Sequence, residues 1–254
     1  MKLFCESRCG RGAVRSENQD NLFVNGSWRK DLSCHQPVSF RDVAETGIYA
    51  VCDGMGGEHY GEEASLIAVQ ALAGVSPESF FRDGAEYLSA MNRDICRLMR
   101  RRGARIGTTF VGLTVSGDQA RIINIGDSRA YLLRSGRMVK LSRDHTQAQR
   151  LVNMGIITQE QASSHPDRHK LTQHLGIFPE ELVIEPYVSE GFVLQKGDIF
   201  LLCSDGLTDM LTEQEISLTL QANMRLADKA DRLYQGALRQ GGKDNITVVL
   251  VQTI

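Results

Sequence analysis

Four aspartates recur in one sequence setting, beside asparagine or glycine at the end of a predicted strand. A carboxylate buried there is costly unless a positive charge meets it. If the strand ends converge, the carboxylates repel one another unless cations lie among them. Carboxylate, carbonyl and water oxygens are the ligands that Mg²⁺ and Mn²⁺ prefer. The four are Asp20, Asp53, Asp205 and Asp244, and Asp127 in Gly-Asp-Ser is a fifth.

The stretch from Ile48 to Gly57 is the clearest of these settings. An apolar, β-branched run predicts a buried strand that ends at Asp53 and a glycine-rich turn. Glycines let the backbone approach a ligand and offer a bare carbonyl, which favours a metal or phosphate site. Taken alone, the stretch is equally compatible with a tight turn in which Asp53 caps the following helix.

Composition indicates one globular domain, residues 1–254. The chain has 254 residues, 42% of them hydrophobic, with no linker-like run and no internal repeat. There are 29 basic and 31 acidic residues, for a net charge of −2. A general nucleic-acid-binding protein is usually strongly basic, so we expect no nucleic-acid partner.

No targeting or membrane signal is evident. The N-terminus lacks a secretory apolar segment, and no apolar stretch is long enough to span a bilayer. The six cysteines have neither disulfide-framework nor zinc-site spacing. We therefore expect a cytoplasmic protein without a membrane partner.

Predicted strands outnumber predicted helices, and short turns between strands force antiparallel neighbours. The helices fall into two groups, which predicts antiparallel sheets with helices outside, an α+β fold. Predicted strands cover residues 22–24, 48–52, 108–115, 120–125, 130–133, 138–141, 183–194, 198–203 and 246–251, with a loop at 25–46. Helices are expected at 61–73, from Pro77 to before Gly103, at 147–154, from Thr158, from Thr212 and at 226–239.

Residues 143–178 differ in character from the rest of the chain. They are polar, contain Pro166 and carry four of the six histidines. A long insertion in a compact domain is often a functional lid, so we expect a mobile flap beside the site.

Six short motifs, in this order, resemble those of the PPM/PP2C family of metal-dependent Ser/Thr protein phosphatases in its compact bacterial form. The resemblance runs from about residue 10 to 251, and Leu141 to Thr146 and His165-Pro166 also match it. The six are residues 15–20, Asp53-Gly54-Met55-Gly56-Gly57, Gly107-Thr108-Thr109, Gly126-Asp127-Ser128-Arg129, Ser204-Asp205-Gly206 and Lys243-Asp244-Asn245.

The resemblance implies a four-layer α-β-β-α sandwich, two antiparallel sheets flanked by helix pairs, with a binuclear Mn²⁺ or Mg²⁺ centre at one end. Asp53 would bridge the two cations and the Gly54 carbonyl would bind one. Asp20 would act through water, and Asp205 and Asp244 would hold the other cation. Asp127, with Asp205, would make a third cation site. Arg15 would grip the phosphate, and the flap would present Arg143, Asp144, His145 and His165.

The resemblance also implies a reaction and partners. A metal-bridging water would attack phosphorus directly, with Arg15 offering bidentate contacts to phosphate oxygens and no phosphoenzyme needed. The substrates would be phosphorylated proteins, including those of a cognate bacterial Ser/Thr kinase, and we expect a monomer.

Two departures from the family pattern concern the proton for the leaving group. Many relatives carry a histidine, a proposed acid, where this chain has Met55. Many bacterial relatives carry Gly-Gly-His, whereas here Glu58 follows Gly57 and His59 comes one place late. We expect water at the Asp127 site to supply the proton, with His59 as the competing donor.

Three other readings compete. A cysteine-dependent phosphatase would use the Cys-x₅-Arg spacing of Cys5 to Arg11 or Cys96 to Arg102, but neither has a strand–loop–helix context. A non-catalytic phosphatase-like domain should have lost metal ligands, and all are present. A nucleotide-binding domain lacks a full glycine motif.

Overall fold

The computed structural model describes residues 1–56 and 60–254. Gly57, Glu58 and His59 lie outside the described residues, so the expectation that His59 points away from the site stays a prediction. Among the described residues, no helix has both the length and the apolar character needed to cross a membrane.

Along the chain, runs of strands alternate with groups of two or three helices. The strands are β1 Leu3–Gly10, β2 Asn21–Val24, β3 Ser27–Trp28, β4 Arg41–Ala44, β5 Gly47–Cys52, β6 Gly54–Met55, β7 Gly107–Thr108, β8 Phe110–Ser116, β9 Gln119–Ile125, β10 Arg129–Arg134, β11 Arg137–Lys140, β12 Tyr187–Val188, β13 Phe192–Val193, β14 Ile199–Cys203 and β15 Ile246–Thr253. The helices are α1 Gly61–Gln70, α2 Pro77–Arg102, α3 Gln147–Asn153, α4 Gln159–Ser163, α5 Asp205–Thr208, α6 Glu213–Gln221 and α7 Leu226–Arg239.

Two antiparallel sheets face each other. The first has the order β11-β10-β14-β15-β1-β4, and the second has the order β12-β9-β8-β5-β2-β3, with β13 also on β9. A separate two-stranded ladder pairs β6 with β7. Strands that are far apart in sequence thus become neighbours, and their ends meet at one end of the sandwich.

Alternation along the strands builds three apolar layers. In β5, Tyr49 and Val51 lie in the core between the sheets, whereas Ile48 and Ala50 pack on the helix side. Helices α1 and α2 cover the outer face of the second sheet, and α5, α6 and α7 cover that of the first. The predicted four-layer α-β-β-α sandwich is confirmed.

Helix α2 has the ends and the buried apolar face that its sequence pattern predicts. Pro77 is its first residue, the Ser76 side chain accepts a hydrogen bond from the Ser79 N–H, and Gly103 ends it in the left-handed region. Leu88 and Met91, three residues apart on one face, are fully buried against the second sheet.

Three sequence-based boundaries are wrong. Residues 25–46 contain β3 and β4 rather than one loop, because Asn25 and Gly26 both have positive φ and turn the chain into a hairpin. Residues 183–194 hold only two two-residue strands, both paired with β9. The strand predicted over 108–115 breaks at Thr109, because β7 pairs with β6 and β8 with β5.

The chain between His145 and Thr172 leaves the sandwich and returns beside its starting point. The Gln147 N–H donates to the Lys170 carbonyl at 2.9 Å, and the Thr172 N–H to the His145 carbonyl at 2.8 Å. Helices α3 and α4 lie between these ties and pack on each other. The segment therefore has a narrow base.

Candidate metal centre

The strand ends bring the predicted aspartates together at one end of the sandwich. Each lies where a strand of the first or second sheet begins or ends. A cavity of about 770 Å³ opens there, and its lining includes Asp53, Asp127, Asp205, Asp244 and the backbone of Gly54. Asp20 is fully buried.

Asp20 is held through only one of its two carboxylate oxygens. Its Oδ2 accepts hydrogen bonds from Ser204 Oγ at 2.7 Å and from Thr247 Oγ1 at 2.6 Å. Its Oδ1 is buried and has no hydrogen-bond partner among the described residues. Burial raises the pKa of Asp20 to about 7, against the lowering effect of the two hydroxyl donors.

Arg29 fixes the backbone that carries Asp20. Its guanidinium is almost completely buried, and Nη2 donates to the carbonyls of Asn18 at 2.5 Å and of Asp20 at 3.1 Å. Buried carbonyls need such donors. Sequence reasoning missed this residue because its loop position gave no signal.

Asp53 is positioned by the strand break at Thr109. The Asp53 N–H donates to Thr109 Oγ1 at 3.0 Å, and the Thr109 N–H donates back to the Asp53 carbonyl at 2.9 Å. Thr109 Oγ1 also lies 2.6 Å from Ser128 Oγ. Helix α1 begins after Tyr60, so the alternative in which Asp53 caps that helix is wrong.

Gly54 occupies a place that no side chain could share. A Cβ there would lie 2.2 Å from the Gly61 carbonyl oxygen and 2.5 Å from that of Gln19. Both contacts are with backbone, which cannot rotate away. Glycine is therefore required for the turn to bring Asp53 beside the Asp20 loop.

Asp127 and Asp205 form a second group with His169, which sequence reasoning missed. One ligand atom from each of the three lies within 4.8 Å of the others. His169 Nδ1 is 3.6 Å from Asp205 Oδ2, and Nε2 is 3.3 Å from Asp209 Oδ2. The bond to Asp205 raises the pKa of His169, and burial raises the pKa of Asp127 to about 8.

These residues fit divalent cations. Burial, and then the negative charges of Asp20 and Asp205, raise the pKa of Asp53 far above that of an ordinary aspartate. The carboxylates therefore cannot all ionise together without added positive charge. Asp20 Oδ1 and Asp205 Oδ1 are buried without a hydrogen-bond partner among the described residues. A cluster in which carboxylate oxygens predominate suits Mn²⁺ or Mg²⁺.

Neither cysteine of the rival mechanism can serve as a nucleophile. Cys5 lies fully buried in β1, and burial raises its pKa well above that of a free thiol. Cys96 is buried within α2, and its pKa is also raised by burial. Both stay protonated at neutral pH, whereas a catalytic cysteine needs a thiolate.

Comparison with known proteins decides the family. A family model described as protein phosphatase 2C matches residues 25–241. The chain belongs to the protein phosphatase 2C family. It is therefore a metal-dependent serine/threonine protein phosphatase, a hydrolase whose cofactor is Mn²⁺ or Mg²⁺.

Individual relatives agree with this assignment. The serine/threonine phosphatase stp of Listeria innocua is 33% identical over 98% of this chain and 96% of its own length. The serine/threonine protein phosphatase PstP of Mycobacterium tuberculosis is 32% identical, but the chain spans only 44% of its length. A crystal structure of the PstP catalytic domain with two manganese ions aligns at a TM-score of 0.78 and 30% identity, covering 99% of each chain.

Asp244 and Arg15 meet at the rim of this phosphatase cavity. Arg15 Nη2 lies 2.6 Å from Asp244 Oδ2, and the Asn245 N–H donates to Asp244 Oδ1 at 2.8 Å. Asn245 also binds this loop to residues 17–19, because its Oδ1 accepts from the Gln19 N–H at 2.7 Å. The phosphatase motifs near both chain ends thus form one unit.

None of the four predicted flap residues lines the phosphatase cavity itself, but Asp144 lines an adjoining cavity that shares Asp127, His169 and Asp205 with it. Asp144 pairs with Arg129 at 2.7 Å and Lys140 at 3.2 Å. His145 Nδ1 accepts from the Gly126 N–H at 3.1 Å, and its pKa is lowered by burial. Two further side chains point elsewhere, with the Arg143 guanidinium 4.4 Å from the Tyr187 ring centroid and His165 Nδ1 accepting from the Asp167 N–H.

Proposed function

We propose that residues 1–254 form one phosphatase domain that hydrolyses phosphoserine and phosphothreonine in proteins and opposes a serine/threonine kinase. The observation that carries the proposal is the cavity that gathers four aspartates with an arginine at its rim. Phosphorylated hydroxyl side chains are products of such kinases, which gives the chemical reason for a cognate kinase.

We assign the cation-binding roles as follows. Asp53 would be shared by the two core cations, and the Gly54 carbonyl would bind one of them. Asp20 would support that position through water, while Asp205 and Asp244 would hold the second cation. Asp127, with Asp205, would hold a third. When bound, divalent cations acidify water and offset negative charge on phosphoryl oxygens.

The other residues bind and orient the substrate. Arg15 is more than half exposed and carries donors in a fork that matches two phosphate oxygens. We assign Arg15 the role of binding the phosphate group of the substrate. We assign residues 143–178 as the flap that contacts the protein part of the substrate, since α3 and α4 stand away from the sandwich on a narrow base.

We also propose a cytoplasmic monomer. All six cysteines are unpaired, and five are buried, which suits a reducing compartment. Helices of the same chain cover the outer apolar faces of both sheets. Light scattering during size-exclusion chromatography tests the monomer, and a dimer mass would refute it.

The decisive experiment measures phosphate release from phosphoserine and phosphothreonine peptides with Mn²⁺ and with excess EDTA. We expect activity only with the metal. We expect Asp53→Asn to lower kcat by about 10³-fold or more, because its neutral amide lacks the negative charge that holds the cations. Asp118→Asn is the matched control, since Asp118 is exposed in the turn at the other end of β8. Turnover in chelator, or full activity of Asp53→Asn, would reject the proposal.

A further inference from the structure

His174 lines the catalytic cavity together with Met55, at the point where residues 143–178 rejoin the sandwich. Both residues also line a smaller neighbouring cavity of about 310 Å³. Met55 is the position at which many relatives carry a histidine, and its thioether cannot donate a proton. The fold therefore places a histidine from a distant part of the chain beside position 55, where this chain has methionine instead of histidine.

The ring of His174 is fixed against β7. A Cβ on Gly107 would lie 2.7 Å from His174 Nδ1, so the ring fills the space that a side chain there would take. Gly107 is the register partner of Met55 in the β6–β7 ladder. The backbone of that ladder continues to Thr108, whose side chain donates to the Asp53 carbonyl. His174 is thus tied to the element that positions Asp53.

The hydrogen bond of His174 decides which ring nitrogen is available. Nδ1 lies 2.9 Å from the Leu175 carbonyl. A carbonyl only accepts, so Nδ1 carries a proton and is the donor. Nε2 has no hydrogen-bond partner among the described residues and is not sealed from solvent. Any proton that the ring gains or gives up is therefore carried by Nε2.

The other described histidine of the cavity is not available in this way. His169 has each ring nitrogen beside a carboxylate, Nδ1 with Asp205 and Nε2 with Asp209. Among the described residues, no carboxylate pairs with either ring nitrogen of His174. Burial lowers the pKa of His174, so its protonated ring releases a proton more readily than an exposed imidazolium does.

Resting on the phosphatase function proposed above, we propose that His174 Nε2–H, in place of the water at the Asp127 site that the sequence led us to expect, protonates the seryl or threonyl oxygen as it leaves phosphorus. The bond between phosphorus and that oxygen breaks with its electron pair on the oxygen, which takes the Nε2 proton and becomes the hydroxyl of the product. A new bond forms between phosphorus and the oxygen of a water molecule. The water gives its proton to solvent, and His174 regains one from solvent.

The test compares two leaving groups. A seryl alkoxide needs a proton, whereas nitrophenolate needs little help, so loss of a positioned acid affects only the former. His174→Ala and His174→Asn are measured on a phosphoserine peptide and on nitrophenyl phosphate, with saturating Mn²⁺. In His174→Asn the amide can still donate to the Leu175 carbonyl while Nε2 is absent. His35→Asn is the control, because His35 is exposed and lines neither cavity.

We expect both His174 variants to lose about 10²-fold in kcat on the peptide and less than about threefold on nitrophenyl phosphate. Added imidazole should restore part of the peptide activity of His174→Ala, which a purely structural role would not allow. Equal losses on both substrates, or no loss on either, would overturn the assignment. A selective loss in His59→Ala with none in His174→Ala would assign the proton to His59 instead.

The outcome is separable from the proposed function. If the unaltered protein with Mn²⁺ hydrolyses neither substrate, the phosphatase function fails. If it hydrolyses both and the His174 variants behave like His35→Asn, only the role of His174 fails.

Discussion

Arg15 Nη2 and Asp244 Oδ2 are 2.6 Å apart, so the residue assigned to phosphate is paired with a residue assigned to a cation. Asp244 raises the pKa of Arg15 through this bond. A cation bound at Asp244 Oδ2 would compete with the guanidinium for this oxygen, and displacement would free Arg15 for phosphate. We therefore expect cation binding and phosphate binding to be coupled at this pair.

Arg15→Ala should have opposite effects on the two ligands. Without its competitor, Asp244 should bind Mn²⁺ about 1.4- to fivefold more tightly, because an exposed pair contributes about 0.2–1 kcal/mol. The KM for a phosphopeptide should rise, since the bidentate contact is lost. Titration calorimetry and steady-state kinetics measure the two effects. Lys243→Ala removes a neighbouring positive charge that makes no ion pair among the described residues. This control should change neither the affinity for Mn²⁺ nor the KM for the phosphopeptide.

Metal-free protein should lose stability as pH rises through the range in which Asp127 stays protonated only in the folded state. The ordinary aspartate pKa is 3.8, and that of Asp127 is raised to about 8. Between these values the native state holds a proton that the unfolded chain releases, so the free energy of unfolding falls with rising pH.

Asp127→Asn removes this effect and should stabilise the metal-free protein. In EDTA its Tm should equal that of the unaltered protein near pH 4 and exceed it by at least about 3 °C at pH 7.5. Asp118→Asn, on the exposed turn, should show no pH-dependent difference. A constant difference at all pH values would contradict the assignment of the raised pKa.

Asp127→Ala should weaken binding of the third cation without removing the two core cations. Asp53, Asp20 and Asp244 keep their own supports in this variant, so two Mn²⁺ ions should still bind. Turnover should fall by about 10-fold to 10²-fold, because Asp205 and His169 would then hold the third position without the aspartate. Metal analysis and kcat are the readouts, and loss of all bound Mn²⁺ would refute the division of roles.

Flap residues should matter for protein substrates more than for small ones. Met154 and Ile156 lie at the end of α3 and are 57% and 63% exposed. Replacing both with serine should raise KM for a phosphoprotein severalfold and leave nitrophenyl phosphate hydrolysis unchanged, since only a large substrate reaches them. Leu218→Ser, at a 60% exposed position on α6, is the control. Parallel losses on both substrates would argue against a flap.

Local patterns determined much of the fold. Pro77 and Gly103 mark the ends of α2, and Thr212 with Glu215 forms the capping box that begins α6. These signals depend on residues that are neighbours in the chain, so they can be recognised from the sequence alone. The Asn25-Gly26 hairpin signal was equally local and was overlooked, whereas the break at Thr109 depends on a partner strand more than fifty residues away.

For the site, the sequence by itself determined the aspartates, because an acid beside glycine at a strand end is visible wherever it occurs. It could not determine which nitrogen, hydroxyl or carbonyl meets each of them. Arg29 under the Asp20 loop, His169 beside Asp205 and His174 beside Met55 come from loops with no periodic signal. Only the closing of the two sheets and the return of residues 143–178 bring them there, because hydrogen bonds and charges act over a few ångströms of space, whatever the separation along the chain.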